Sequence, residues 1–319
     1  MMSATTTGKP RVVADGPLAT AIEQLMGDRL ELLPWDVAVA GSDTPVDGIY
    51  TYGHEAVTGA MMDGLPGLKI ISNYGVGVDH INLADAQERG IPVGNTPDVL
   101  NGATADMAMT LLLAAARRLI EGDRFSRSPE FTHYDPGYML GREAHSTVIG
   151  IVGLGRIGWQ IARRALGFDM KVLYHNRNER TDLPADVDVS YVDFESLLTQ
   201  SDYVVLSLPL SAVTEKLIGA HELQLMKSTA ILVNVARGGV VDTDALTSAL
   251  QQGEIYAAGL DVTDPEPLPR DHPLLKLDNV TIAPHLGSAT EQTRQRMAEI
   301  SVENLWAGLA GKPLLHRVA

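Results

Sequence analysis

One short stretch limits the folds open to this chain more than any other. An apolar run, STVIGIVG from Ser146, passes into a helix-forming run, RIGWQIARRALGF, across Gly153-Leu154-Gly155-Arg156-Ile157-Gly158. The spacing is GxGxxG, and its setting, leaving a strand and opening a helix, is the one in which the pattern carries a mechanism. The first glycine permits the tight turn and the second lets backbone approach a diphosphate. The third lets helix and strand pack closely, while the helix N-terminus offers free N–H groups and a partial positive charge. The sequence therefore predicts a dinucleotide site contacted by Gly153, Gly155, Arg156, Ile157 and Gly158.

The rest of the chain supplies the sheet such a turn needs. In the N-terminal third, RVVAD, GIYTYG, LKIISNYG and IPVGNTP read as short strands. Helical segments separate them: LATAIEQLMG, beginning at Pro17, and EAVTGAMMDG. From Asn101 a second series starts with a long helix, ATADMAMTLLLAAARRLIEG, followed by an irregular, aromatic-bearing arm from Asp123 to Ala144. Then come STVIGIVG, MKVLYH, DYVVLSL, AILVNV, IYAAGLDV and NVTIAP as strands, with helices at RIGWQIARRALGF and DALTSALQQG and a helical tail from Ser288 to Leu309. Strand–helix alternation means parallel sheets covered by helices on both faces. The fold class expected is α/β, with two doubly wound parallel-sheet domains. On sequence pattern alone the final helix could pack on either.

Composition removes several functions. With no cysteine among 319 residues, disulfides, thiolate nucleophiles and cysteine-ligated zinc are excluded, and no metal is expected at the site. A formal net charge of −15 argues against nucleic acid and anionic membrane as partners, since both demand basic surface. The strongest apolar run, Met107 to Ala116, falls short of the ~18 residues that a membrane span needs. The N-terminal MMSATTTGKP has neither an apolar core nor a cleavage site. It reads as a frayed end, and the expected location is cytoplasmic.

The end of the strand after the glycine turn sets the cofactor. Sites that prefer NAD place an acid there to hold the ribose hydroxyls. Here the residues are Asn176, Arg177 and Asn178. An arginine can pair a 2′-phosphate that an acid would repel, so the expectation is NADP, with NAD as the weaker alternative. Farther along, Arg237 follows the strand AILVNVA, Glu266 sits in DPEP after the strand ending at Asp261, and His285 follows NVTIAP. All three lie beyond the C-terminal ends of expected parallel strands, where open α/β sheets place ligands. Hydride transfer from a nicotinamide to a carbonyl puts negative charge on the carbonyl oxygen, so a positioned acid must supply a proton. Histidine can do so near neutral pH. A carboxylate beside it would orient the ring, and an arginine would grip the substrate carboxylate.

Five stretches in order, SNYGVGVDHIN, IVGLGRIG, VNVARGG, AAGLDVTDPEPLP and APHLGSAT, make the chain similar to the D-isomer-specific 2-hydroxyacid dehydrogenase family from about Arg11 to Leu315. It is most similar to the glyoxylate/hydroxypyruvate reductase branch. The resemblance implies that Arg237, Glu266 and His285 are catalytic, and that the amides of Val76 and Gly77 receive the substrate carboxylate together with Arg237 and His285. It implies that Asp261 holds the nicotinamide carboxamide, with Leu208, Pro209 and Thr214 lining the cofactor and Val235, Ala236 and Gly287 completing its contacts. The implied domains are a flavodoxin-like substrate domain, residues 1–101 plus 287–319, and a Rossmann cofactor domain, residues 102–286. The active site would lie in the cleft between them, hinged near residues 101 and 286. A homodimer joined through the Asn101–Arg118 helix and the arm after it is implied as well.

The branch usually carries a tryptophan in that arm. Here the arm has His133, Tyr134 and Tyr138, and the chain's three tryptophans are Trp35, Trp159 and Trp306. The substrate is thus left open between glyoxylate or hydroxypyruvate and bulkier 2-oxo acids. Two other functions share much of this pattern: a non-enzymatic dinucleotide sensor, and a dehydrogenase of another small anion such as formate or phosphite.

Overall fold

The computed structural model describes residues 8–184 and 187–319, so the expected frayed end at residues 1–7 lies outside the described residues. The chain divides into two compact units, Met1–Leu100 with Thr290–Ala319, and Asn101–Ala289. Each is an α/β sandwich around a wholly parallel sheet.

In the first unit the elements run β1 (Arg11–Ala14), α1 (Thr20–Met26), β2 (Glu31–Pro34), α2 (Asp36–Ala40), β3 (Gly48–Thr51), α3 (Gly59–Asp63), β4 (Ile70–Asn73), α4 (Leu83–Glu88) and β5 (Val93–Gly94). The strand order is β2-β1-β3-β4-β5. β3 and β4 are buried on both faces, as strands covered by helices on each side must be. The helix expected at Pro17 starts at Thr20, and only Gly59–Asp63 of EAVTGAMMDG is helical, capped by the Thr58 side chain on the amide of Met61.

The second unit begins with α5 (Asn101–Ala116) and α6 (Leu119–Ser126) and continues through β6 (Val148–Val152), α7 (Arg156–Leu166), β7 (Lys171–His175) and β8 (Val189–Tyr191). It then runs through α8 (Phe194–Gln200), β9 (Tyr203–Leu206), α9 (Ala220–Leu225), β10 (Ile231–Asn234), α10 (Thr243–Gln252), β11 (Ala257–Leu260) and β12 (Val280–Ile282). Its seven strands are ordered β12-β11-β10-β9-β6-β7-β8. The order reverses between β6 and β9, which is the topological switch point where such sheets take a ligand.

The long helix expected from Ala103 to Gly122 is two helices. The carbonyl of Ala116 accepts from the amide of Arg142, 2.8 Å away, where the arm returns. Gly141 lies so close that a Cβ there would stand 2.4 Å from the same oxygen. The helix stops where the returning arm takes a carbonyl that its next turn would use. Arg118 turns into the left-handed region (φ 50°) and clamps Glu121 through two guanidinium bonds. α6 runs on to Ser126, so the first part of the stretch expected to be irregular from Asp123 is helical.

Close packing sets the positions of glycine in the sheets. In β11, a Cβ on Gly259 would meet Leu111 of α5 at 3.0 Å, so this residue lets α5 lie on the sheet. In the first unit the last helix, α11 (Glu291–Leu309), packs on β4, where a Cβ on Gly308 would stand 2.5 Å from the Ile70 side chain. The same helix sends Ser301 to the buried Tyr50 hydroxyl, 2.7 Å away. Sequence pattern alone left that helix unplaced, and these contacts seat it on the N-terminal sheet.

Candidate active site

The glycine turn joins β6 to α7 at the switch point. Gly153 has φ +95°, a conformation that side chains disfavour, and a Cβ there would lie 2.5 Å from the carbonyl oxygen of Ser207 after β9. A Cβ on Gly158 would stand 2.3 Å from the Gly153 carbonyl, so this glycine lets the helix close on the turn. Gly155 differs from both. A Cβ there would meet nothing within 4 Å; the middle glycine thus faces open space at the start of α7, where free amides collect. That geometry fits a diphosphate approaching the backbone.

Asn176, at the end of β7, holds the turn: its Oδ1 accepts from the Leu154 amide at 2.7 Å. Arg177 and Asn178 beside it are exposed. A second arginine here, Arg180, escaped the sequence reading. It forms two bonds to the Asp182 carboxylate, at 2.8 and 2.6 Å, and holds that carboxyl below its ordinary range. Its charge is engaged locally, whereas Arg177 extends into solvent. After β9, Thr214 closes the turn that carries Leu208 and Pro209: its Oγ1 donates to the Pro209 carbonyl at 2.7 Å and accepts from the Ser211 amide at 2.8 Å.

The catalytic candidates sit on the loops after β10, β11 and β12. At the end of β10 the buried Asn234 side chain grips both sides of its own turn. Its Oδ1 accepts from the amide of Ala236 at 3.0 Å and its Nδ2 donates to the carbonyl of Arg237 at 2.9 Å. Val235, Ala236 and Arg237 are thereby fixed in backbone position. Sequence reasoning passed over Asn234, although an amide inside an apolar strand was a signal. Next, Gly238 touches the following loop so closely that a Cβ would fall 1.9 Å from the Thr263 carbonyl. Arg237 and the Glu266 loop are therefore held side by side. The Arg237 guanidinium also donates to the Ala236 carbonyl at 2.9 Å.

His285 and Glu266 meet directly, with Nδ1 and Oε1 2.7 Å apart and both side chains partly exposed. His285 has φ 57°, an uncommon conformation for a non-glycine residue. What holds it there is Asp261, whose backbone carbonyl accepts from the His285 amide at 2.9 Å. The Asp261 carboxylate accepts from the amides of Leu286 and Gly287, each at 2.7 Å. Asp261 is 2% exposed. Burial pushes its carboxyl up and outweighs the two amides that favour the charged form. A Cβ on Gly287 would stand 2.9 Å from the Asp261 carboxylate, so glycine is needed for this turn. Val76 and Gly77 follow β4 in the other unit, on a partly exposed loop.

A doubly wound sheet with a glycine turn at its switch point, and an imidazole–carboxylate pair on neighbouring strand ends, defines a nicotinamide-dinucleotide-dependent oxidoreductase. Residues 109–287 match the family model described as D-isomer specific 2-hydroxyacid dehydrogenase, NAD binding domain. The glyoxylate reductase of Thermococcus gammatolerans is 48% identical over 266 residues, 82% of this chain and 79% of that protein. Among solved structures, a Thermus thermophilus protein is 42% identical with a TM-score of 0.88, covering 97% of this chain and 100% of that one. The NADPH-dependent glyoxylate/hydroxypyruvate reductase of Sinorhizobium meliloti, solved with NADP and malonate, is 33% identical with a TM-score of 0.89, covering 98% of this chain and 97% of that one. The chain belongs to the D-isomer-specific 2-hydroxyacid dehydrogenase family.

Proposed function

We propose that the protein reduces a small 2-oxo acid of the glyoxylate or hydroxypyruvate kind to its D-2-hydroxy acid, and catalyses the reverse, with NADP preferred over NAD. The observation that carries this reading is the 2.7 Å contact between His285 Nδ1 and Glu266 Oε1 at the strand ends of the cofactor-binding unit. The glyoxylate reductase relatives support the substrate class. When bound, the nicotinamide supplies the hydride that adds to C2 of the substrate.

The side chains handle the charge. Glu266 takes up Nδ1 of the imidazole, which fixes the ring and leaves Nε2 to deliver a proton to the carbonyl oxygen as negative charge grows there. Arg237 binds the substrate carboxylate and polarises the carbonyl, while the Val76 and Gly77 amides take the other carboxylate oxygen. Asp261 serves the nicotinamide carboxamide with whatever acceptor capacity the Leu286 and Gly287 amides leave to it. Gly153, Gly155, Arg156, Ile157 and Gly158 hold the diphosphate, and Leu208, Pro209, Thr214, Val235, Ala236 and Gly287 line the cofactor. The preference for NADP rests on Asn176, Arg177 and Asn178, with Arg177 pairing the 2′-phosphate.

The same reading makes the protein a cytoplasmic homodimer. The arm offers apolar surface for this: Phe131, Tyr134, Tyr138 and Leu140 are exposed, Tyr134 at 80% and Leu140 at 69%, with exposed Leu119 at the start of the preceding α6. Phe125 packs against Phe131 and Tyr138 with ring centroids 5.5 and 4.8 Å apart, so the arm is pre-shaped. Exposed aromatic surface of this kind is what a subunit contact buries.

His285→Ala is expected to lower kcat for glyoxylate by roughly 10²–10⁴-fold while NADPH still binds; activity within tenfold of the parent removes histidine from the mechanism. In a comparison of kcat/KM, the parent should favour NADPH over NADH, and Arg177→Ala should reduce the NADPH value selectively by roughly tenfold or more. A parent enzyme that prefers NADH refutes the cofactor assignment. Light scattering should give a dimer mass that Tyr134→Glu with Leu140→Glu reduces to the monomer. A monomeric parent rules out the arm as a subunit contact.

A further inference from the structure

The loop proposed to receive the substrate carboxylate has an unusual distribution of hydrogen bonds. All four carbonyls from Tyr74 to Gly77 are occupied by groups of the same unit. Thr96 Oγ1 donates to the Tyr74 carbonyl at 2.7 Å. Asn73 Nδ2 forks, donating to the carbonyls of Gly75 and Gly77, each at 2.8 Å, and the Thr96 amide adds a bond to Gly75 at 3.2 Å. Asn95 Nδ2 donates to the Val76 carbonyl at 2.8 Å. Among the described residues, the amides of Val76 and Gly77 donate to no acceptor.

These two facts are linked by the planarity of the peptide. In a trans peptide the carbonyl of one residue and the amide of the next point in opposite directions from a rigid plane. Fixing the Gly75 carbonyl therefore aims the Val76 amide, and fixing the Val76 carbonyl aims the Gly77 amide. Successive amides aimed in this way form an anion-binding concavity. We propose that Asn73 and Asn95, with Thr96, are positioning residues that set the Val76 and Gly77 amides for the substrate carboxylate by holding the carbonyls behind them. This inference rests on the functional reading above and adds to it the residues that build the carboxylate subsite.

The donors are themselves locked. Thr51 Oγ1 donates to Asn73 Oδ1 at 2.7 Å, so the amide nitrogen of Asn73 must face the loop. Asn73 and Thr51 are buried, at 2% and 0% exposure, where an unmade hydrogen bond is costly. The Asn95 backbone is held by Asn304 of α11, whose Nδ2 donates to its carbonyl at 3.0 Å, while Asn304 Oδ1 accepts from the His316 amide at 3.1 Å. The closing helix of the chain thus reaches the subsite through one intermediate residue. Asn73→Asp keeps the shape but replaces the forked donor by an acceptor facing two carbonyls. Asn95→Ala releases only the Val76 carbonyl and, being partly exposed, is the milder change.

The experiment compares the parent with Asn95→Ala and Asn73→Asp in three measurements: steady-state kinetics with glyoxylate, titration calorimetry of oxamate into the enzyme–NADPH complex, and NADPH affinity from nicotinamide fluorescence. Both variants should raise KM for glyoxylate and the oxamate Kd together, by about tenfold or more, as expected when a hydrogen bond to a charged group is misaligned. kcat and NADPH affinity should stay within about threefold, a split that general loosening of the unit would not produce. Unchanged KM and oxamate Kd in folded Asn95→Ala overturn the proposal, as does a loss of NADPH affinity that matches the loss of oxamate. If Asn73→Asp fails to fold, Asn95→Ala carries the test alone. Oxamate binding needs no turnover, so a parent that binds oxamate but reduces no 2-oxo acid contradicts the functional reading and leaves the positioning claim standing.

Discussion

The buried carboxylate of Asp261 accepts the amides of Leu286 and Gly287, while its own carbonyl takes the amide of His285. Three bonds from one residue on the end of β11 thus dictate the path of the chain leaving β12. They keep His285 at a left-handed φ, a conformation that costs of order 1–3 kcal/mol and persists only where the surroundings impose it. With the backbone fixed there, the imidazole reaches the Glu266 carboxylate at 2.7 Å. Burial of Asp261 opposes its ionisation, and two amides aimed at its oxygens oppose that effect in turn. The His285 imidazole is therefore placed by a polar group that itself lies beneath the surface.

The same device recurs across the molecule. Asn234 grips the turn that bears Arg237, Asn176 ties the glycine turn to the neighbouring strand, and Asn73 with Asn95 holds the Val76–Gly77 loop. Each residue lies at or just beyond the C-terminal end of a parallel strand, where the ladder stops and backbone groups lose their partners. A short amide side chain has both a donor and an acceptor to give them. Glycine does the complementary work where loops must touch, as at Gly238 against Thr263 and Gly153 against Ser207. The loops at these strand ends are thus held by individual, identifiable contacts.

Much of this was legible in the chain. The glycine turn, the strand alternation and the strand-end positions of Arg237, Glu266 and His285 all follow from local pattern, because each depends on near neighbours in sequence. β2 was missed: ELLP is short, largely exposed and ends in proline, so it lacks the apolar signature of the inner strands. β8, three partly buried residues at the far edge of its sheet, was missed for the same reason. The break at Arg118 was hidden because the contact that accompanies it, Arg142 on the Ala116 carbonyl, comes from 26 residues beyond Ala116. The amide clamps were equally hidden, since no periodicity shows which carbonyl an asparagine will reach. Arg180 could have been weighed against Arg177, but nothing in the local pattern reveals that Asp182 engages it.

The central claim is that His285 and Glu266 act as one unit, with the carboxylate working only through the ring. A double-mutant cycle on kcat with His285→Ala and Glu266→Gln measures this directly. The account predicts strong non-additivity: Glu266→Gln lowers kcat substantially in the parent and changes it by less than about twofold once His285 is gone. Two effects that simply multiply would contradict it, because Glu266 would then contribute to the reaction independently of the imidazole.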